Sequence, residues 1–92
     1  MKIVVNDTFG GFHYPEEFCK CYNVSPYDWM DYTDGDEYRF HDNLIDWVET
    51  NPQDSEGLRV IDIPDNVTDW QIHEYDGLES IICVIDGKIV WL

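Results

Sequence analysis

Residues 70–92 read WQIHEYDGLESIICVIDGKIVWL. Two Asp-Gly pairs, Asp76-Gly77 and Asp86-Gly87, punctuate three runs rich in β-branched and aromatic residues. Asp-Gly between such runs is a strong hairpin signal, because both central positions of a type I′ turn need positive φ. The segment therefore predicts a meander of three strands, Trp70–Tyr75, Leu78–Ile85 and Lys88–Leu92. With two-residue turns the register follows. Trp70, Ile72, Ile81, Cys83, Ile85, Val90 and Leu92 share one face. Ile82, Val84, Ile89 and Trp91 share the other with Gln71, His73 and Ser80. The first face is expected to meet helices. The second is more apolar than a solvated face usually is.

Upstream, Leu58 to Ile63 reads as a strand closed by Pro64-Asp65, and Lys2 to Val5 as a strand that stops at Asn6-Asp7. Pro15 followed by Glu16 and Glu17 is a helix-start signature, with the helix ending near Tyr22. Asp42 caps a second helix through about Thr50, with Leu44, Trp47 and Val48 on one face, and Asn51-Pro52 ends it. Residues 23–38 read as a loop. The expected fold is α+β, a single domain over residues 1–92, with a four- to five-stranded, mostly antiparallel sheet packed by two short helices.

The chain has 92 residues, and its 43% hydrophobic and 15% aromatic content predict a folded globule. A domain of this size buries only about 60–65% of the surface its unfolded chain exposes, so its core is marginal. Twenty Asp and Glu face five Lys and Arg, a net charge of −15. That balance excludes direct nucleic-acid binding, which runs on Lys and Arg displacing counterions from phosphates. It also argues against anionic membranes. No apolar targeting segment or run of about 18 apolar residues is present, so a cytoplasmic location is expected. Three cysteines in such a chain predict thiols rather than a disulfide framework.

Three groups of residues bear on chemistry. His13, Cys19, Cys21 and His41 are the candidate ligands for a structural Zn2+, which wants four donors in tetrahedral array and would staple a marginal core. Positions i and i+2 of a helix lie about 200° apart. Cys19 and Cys21 can thus share an ion only if the helix is irregular or ends there, as Asn23 and Pro26 allow. The plain alternative is Cys19 as a small core residue and Cys21 as a surface thiol. The acidic loop is the second group: Asp28, Asp31, Asp34, Asp36 and Glu37, with Trp29 and Tyr32 among them. With Gly35 set at its sixth position, a calcium loop would need ligands at Met30, Tyr32 and His41, and three of the required oxygens are missing. The loop reads as solvated or as a docking surface for a basic partner. The third group is Glu74, Asp76 and Glu79, expected at an exposed hairpin tip and read either as solubility charge or as a docking site for Arg or Lys. Glu74 and Glu79 stand opposite each other across the turn, a like-charge pair that needs compensation. No nucleophile motif, phosphate loop or dinucleotide fingerprint occurs, so no enzymatic activity is expected.

Several of these segments resemble, in order, a family of small phage-encoded proteins that open K-I-x-V-N and continue into Tyr-Gly-Gly-Phe. The matching residues are Lys2-Ile-Val-Val-Asn6, Gly10-Gly11-Phe12, Arg39 with Asp42, Val48-Glu49, Ile63-Pro64-Asp65 and Trp70-Gln-Ile72-His-Glu74-Tyr75-Asp76-Gly77. The chain departs from the family in a shorter segment before Arg39, in Pro15 where a serine is usual, in His13, Cys19 and Cys21, and in its final strand. The resemblance implies a phage source and a fold. By type, a small acidic phage protein is also similar to anti-CRISPR inhibitors. That likeness implies a basic host protein as partner, a type II CRISPR effector nuclease, whose guide–target duplex lies in a positively charged channel. The competing expectation is an acidic accessory protein, zinc-stapled or plain, that is monomeric or pairs through the face bearing Trp91 as a homodimer. Light scattering separates these two, since a tight dimer would occupy that face.

Overall fold

Ile3, Val4 and Val5 are all fully buried, although successive side chains of a strand point to opposite sides. The strand that holds them is therefore covered on both faces. The computed structural model describes residues 1–31 and 37–92. This strand, β1 (Lys2–Asn6), pairs antiparallel with β2 (Leu58–Asp62), Val4 opposite Val60. The two form a separate ribbon. β3 (Val67–Tyr75), β4 (Leu78–Ile85) and β5 (Lys88–Trp91) form a second antiparallel sheet in the order β3-β4-β5. The expected single sheet of four or five strands is thus two sheets, of two and three strands.

The ribbon is the middle layer. On one side Val4 and Leu58 pack with Phe18 of helix α1 (Glu16–Tyr22) and with Leu44, Ile45, Trp47 and Val48 of helix α2 (Asp42–Thr50). On the other, Ile3, Val5, Ile61 and Ile63 pack on Ile81 of β4, with Trp70 and Ile72 of β3 at the margin. The meander's apolar face thus meets the ribbon and not the helices. Each large apolar side chain so buried stabilises the fold by about 1.5–3 kcal/mol before chain entropy is set against it. The helices are short for the reasons their ends display. Pro15 stands at the N-cap of α1, and Asn23 closes it in the left-handed conformation at φ 54°. His41, rather than the expected Asp42, is the N-cap of α2, with Asp42 in its first turn.

Both hairpin turns form as the Asp-Gly pairs predict. Tyr75 pairs with Leu78 and Ile85 with Lys88, and Asp76, Gly77, Asp86 and Gly87 all have positive φ. The Asp76-Gly77 turn is not free in solvent. The Gly10 N–H donates to the Asp76 carbonyl at 3.2 Å, and the Asn6 side-chain amide donates to the Gly77 carbonyl at 2.8 Å. A Cβ on Gly77 would lie 2.1 Å from the Gly11 nitrogen, so only glycine fits this crossing. The glycine turn after β1 and the meander's first hairpin are docked backbone to backbone. Among the described residues no helix is long and apolar enough to cross a membrane.

Candidate functional site

The expected hairpin-tip acids separate in the structure. Glu79 pairs with Glu74 across the strands, as the register requires, but Glu79 is 6% exposed whereas Glu74 is exposed. Glu79 is therefore not part of an exposed acidic tip. Alternation along β4 places it on the face of Ile81 and Cys83, which is covered. Its compensation is Arg39, itself 5% exposed and carried by the 3-10 turn Glu37–Phe40. The Arg39 Nη1 and Nη2 donate to the Glu79 Oε1 and Oε2 at 2.7 and 2.6 Å, a two-pronged, charge-assisted pair. Glu79 Oε1 also accepts the Asn6 N–H at 2.7 Å, and Arg39 Nη1 reaches the Val4 carbonyl at 3.3 Å. The guanidinium lies 5.0 Å from the ring centroids of both Phe12 and Tyr38. This cluster ties the end of β1, the meander and the segment leading into α2 together in one buried network. The clash between Glu74 and Glu79 is relieved by it, and Glu74 instead accepts the Gly77 N–H at 2.5 Å.

The acidic loop divides similarly. Asp28 is half-buried, its Oδ2 accepting the Ser25 N–H at 2.8 Å, and it opens the 3-10 turn Asp28–Asp31. Trp29 packs edge-on against Phe12 at 5.6 Å and at a 32° tilt against Tyr38 at 5.0 Å, so it belongs to the aromatic core beside Arg39. Glu37 and Asp76 are exposed. Tyr32, Asp34 and Asp36 lie outside the described residues.

Of the four candidate zinc ligands, the structure brings two to one cleft. His13 and Cys19 line a cavity of about 470 Å³ with Glu16 and Glu56. His13 Nε2 is 3.9 Å from Glu56 Oε1, while the other Glu56 oxygen accepts the Glu16 N–H at 2.5 Å. Cys21 is exposed, on the opposite side of a regular helical turn from Cys19. His41 lines a different cavity, beside Phe18, Tyr22 and Leu44. Among the described residues no group of three His, Cys, Asp or Glu side chains is placed to hold one metal ion. Burial, then the charges of Asp28 and Glu56, push the Cys19 thiol up from its ordinary value. Cys83 is buried in the position its register predicts.

The surface charge is lopsided beyond what the composition states. Arg39 is buried in its pair, Lys2 bridges to Glu49 at 3.0 Å, Lys20 to Glu17 at 3.2 Å and Arg59 to Asp7 at 3.2 Å. The Glu49 carboxylate that accepts its hydrogen bond holds Lys2 above the usual lysine range, as Glu17 does Lys20. Four of the five basic side chains are thus matched to acids. Other carboxylates face solvent, among them Asp42 and Asp46 along α2, which with the paired Glu49 edge a groove floored by Phe40 and Ile45. No protein-family model, curated protein or solved structure matches the chain.

Proposed function

We propose that the protein is a non-enzymatic inhibitor that works by binding: an acidic, phage-encoded, anti-CRISPR-type protein that occupies a basic surface of a type II CRISPR effector nuclease and blocks target DNA loading. The observation that carries this reading is the charge distribution. Four of the five basic side chains are spent on internal or local ion pairs, in a chain that carries a net charge of −15. Such a surface attracts Lys- and Arg-lined channels, quickens encounter with them and repels DNA that competes for the same channel. Exposed Glu37, Glu74 and Asp76, with the acids of α2, are the charges that face such a partner. Glu79 and Trp29 leave the contact list, because one is inside the Arg39 network and the other is packed on Phe12 and Tyr38.

The experiment is a cleavage assay with a guide-loaded type II effector, the protein added before or after target DNA. Inhibition only when it is added first is the expected result and places the action at DNA loading. Inhibition in both orders would move the action to the chemical step, and no inhibition of any type II effector would reject the reading.

A further inference from the structure

The three-stranded sheet covers the ribbon with one face and leaves the other bare. Alternation puts His73 and Tyr75 of β3, Ile82 and Val84 of β4, and Ile89 and Trp91 of β5 on that outer face. Ile82 pairs with Trp91 and Val84 with Ile89, so four apolar side chains form one block, and the His73 ring stands edge-on to Trp91 at 5.3 Å. Tyr75, Ile89 and Trp91 are 65%, 73% and 58% exposed. Ile82 and Val84 are only half-buried, and the surface that these side chains leave in water contributes nothing to the fold. The acids, so dense elsewhere, border the block here: on β3 Asp69 and Gln71 stand beside it, opposite Val84 and Ile82, while Asp86 and Asp76 sit in the two turns.

We infer that this face is the centre of a protein–protein contact, and that its partner is a basic protein surface with an apolar middle. An apolar centre anchored by a Trp and a Tyr and flanked by charge is the anatomy of a specific interface. The sign of the flanking charge selects the occupant. A second copy would set Asp69, Asp76 and Asp86 against equal charges within a Debye length of about 8 Å, in a chain already at −15. A partner that rings its apolar patch with Lys and Arg meets attraction at the same places. The inference rests on the inhibitor reading for the basic character of the partner, and it moves the centre of the contact from the acidic loop to the meander.

The test titrates the full, isotope-labelled chain with a synthetic amphipathic Leu/Lys helix as the probe, beside sedimentation of the chain alone. The expected result is a monomer whose amide and Trp91 indole resonances shift on β4 and β5. A Trp91→Ser, Ile89→Thr double variant should then bind the peptide at least about tenfold more weakly. Its melting temperature should fall by no more than about 4–8 °C, since Ile89 and Trp91 are mostly exposed and lose only their cross-strand pairs with Val84 and Ile82. Shifts confined to α2, with the double variant binding as well as wild type, overturn the inference. So does a dimer that the double variant abolishes, because the face would then belong to a second copy. Failure of the wild-type chain to inhibit any nuclease overturns the inhibitor reading alone, since the peptide titration uses no nuclease.

Discussion

At the scale of single residues, the buried pair Arg39–Glu79 is where losing one side chain should cost the fold most. Two buried charges attract strongly only because each is almost fully hydrogen-bonded, and removing one partner strands the other. Arg39→Met leaves the Glu79 carboxylate buried with only the Asn6 N–H for company and should destabilise the fold by about 3–5 kcal/mol in urea unfolding. Adding Glu79→Gln removes the stranded charge while its amide oxygen still accepts from Asn6. The double variant is therefore expected to recover part of that loss; a double variant less stable than Arg39→Met would contradict the account. Half of this pair was legible beforehand. The alternation that assigns Ile81 and Cys83 to the covered face assigns Glu79 to it too, but an acid beside an Asp-Gly turn reads more naturally as solvated. Its partner lies 40 residues away in sequence, and no local pattern joins Arg39 to β4. The thiols carry a second residue-scale prediction. A thiol reacts as its thiolate, and burial beside Asp28 and Glu56 holds Cys19 protonated at neutral pH. Iodoacetamide near pH 7.5 should label exposed Cys21 first and Cys19 well after it, with the Cys19 rate still climbing above the ordinary thiol range. Equal rates for the two, read by mass spectrometry of peptides, would refute the half-buried placement of Cys19.

At the scale of elements, turns and strands are more legible in the sequence than layers. The two Asp-Gly turns, the meander register and both helices follow from local chemistry: positive φ, alternation and a 3.6-residue apolar spacing. What eluded local reading was that Lys2–Asn6, apolar on both sides, is an interior strand, so that the strands divide into a ribbon and a meander. An unbroken run such as Ile3-Val4-Val5 carries that information, but which strands neighbour which is decided by long-range contact. The docked turn makes the layering testable. Gly77 and Gly87 occupy equivalent turn positions, at φ 87° and 77°, yet a Cβ on Gly87 meets nothing within 4 Å while one on Gly77 runs into the Gly10-Gly11 backbone. Gly87→Ala should therefore cost only the left-handed backbone penalty, about 1–2 kcal/mol. Gly77→Ala should cost about 1–3 kcal/mol more, because the ribbon and the meander must separate to admit a methyl group. Equal losses for the two variants would show that the turn is not docked.

At the scale of the whole molecule, charge sets the terms of both folding and binding. Matching four of the five bases to acids leaves most carboxylates with like-charged neighbours, and their mutual repulsion is relieved whenever the chain expands. Salt weakens that repulsion. It also weakens the exposed pairs Lys2–Glu49, Lys20–Glu17 and Arg59–Asp7, but each of these is worth at most about 1 kcal/mol. The Arg39–Glu79 pair is shielded from ions by its burial and should hardly respond. Repulsion among a surplus of fifteen negative charges outweighs three exposed attractions, so adding NaCl should raise the melting temperature. For a domain this small each kcal/mol relieved is worth about 4–8 °C, which differential scanning calorimetry resolves easily. Binding should move the other way: the association rate with a basic partner falls as the same salt screens the attraction, whereas dissociation, governed by the apolar face around Trp91, changes little. A melting temperature that falls with salt would mean that local ion pairs, not net repulsion, dominate the folded surface, and the charge-distribution argument for a basic partner would lose its footing with it.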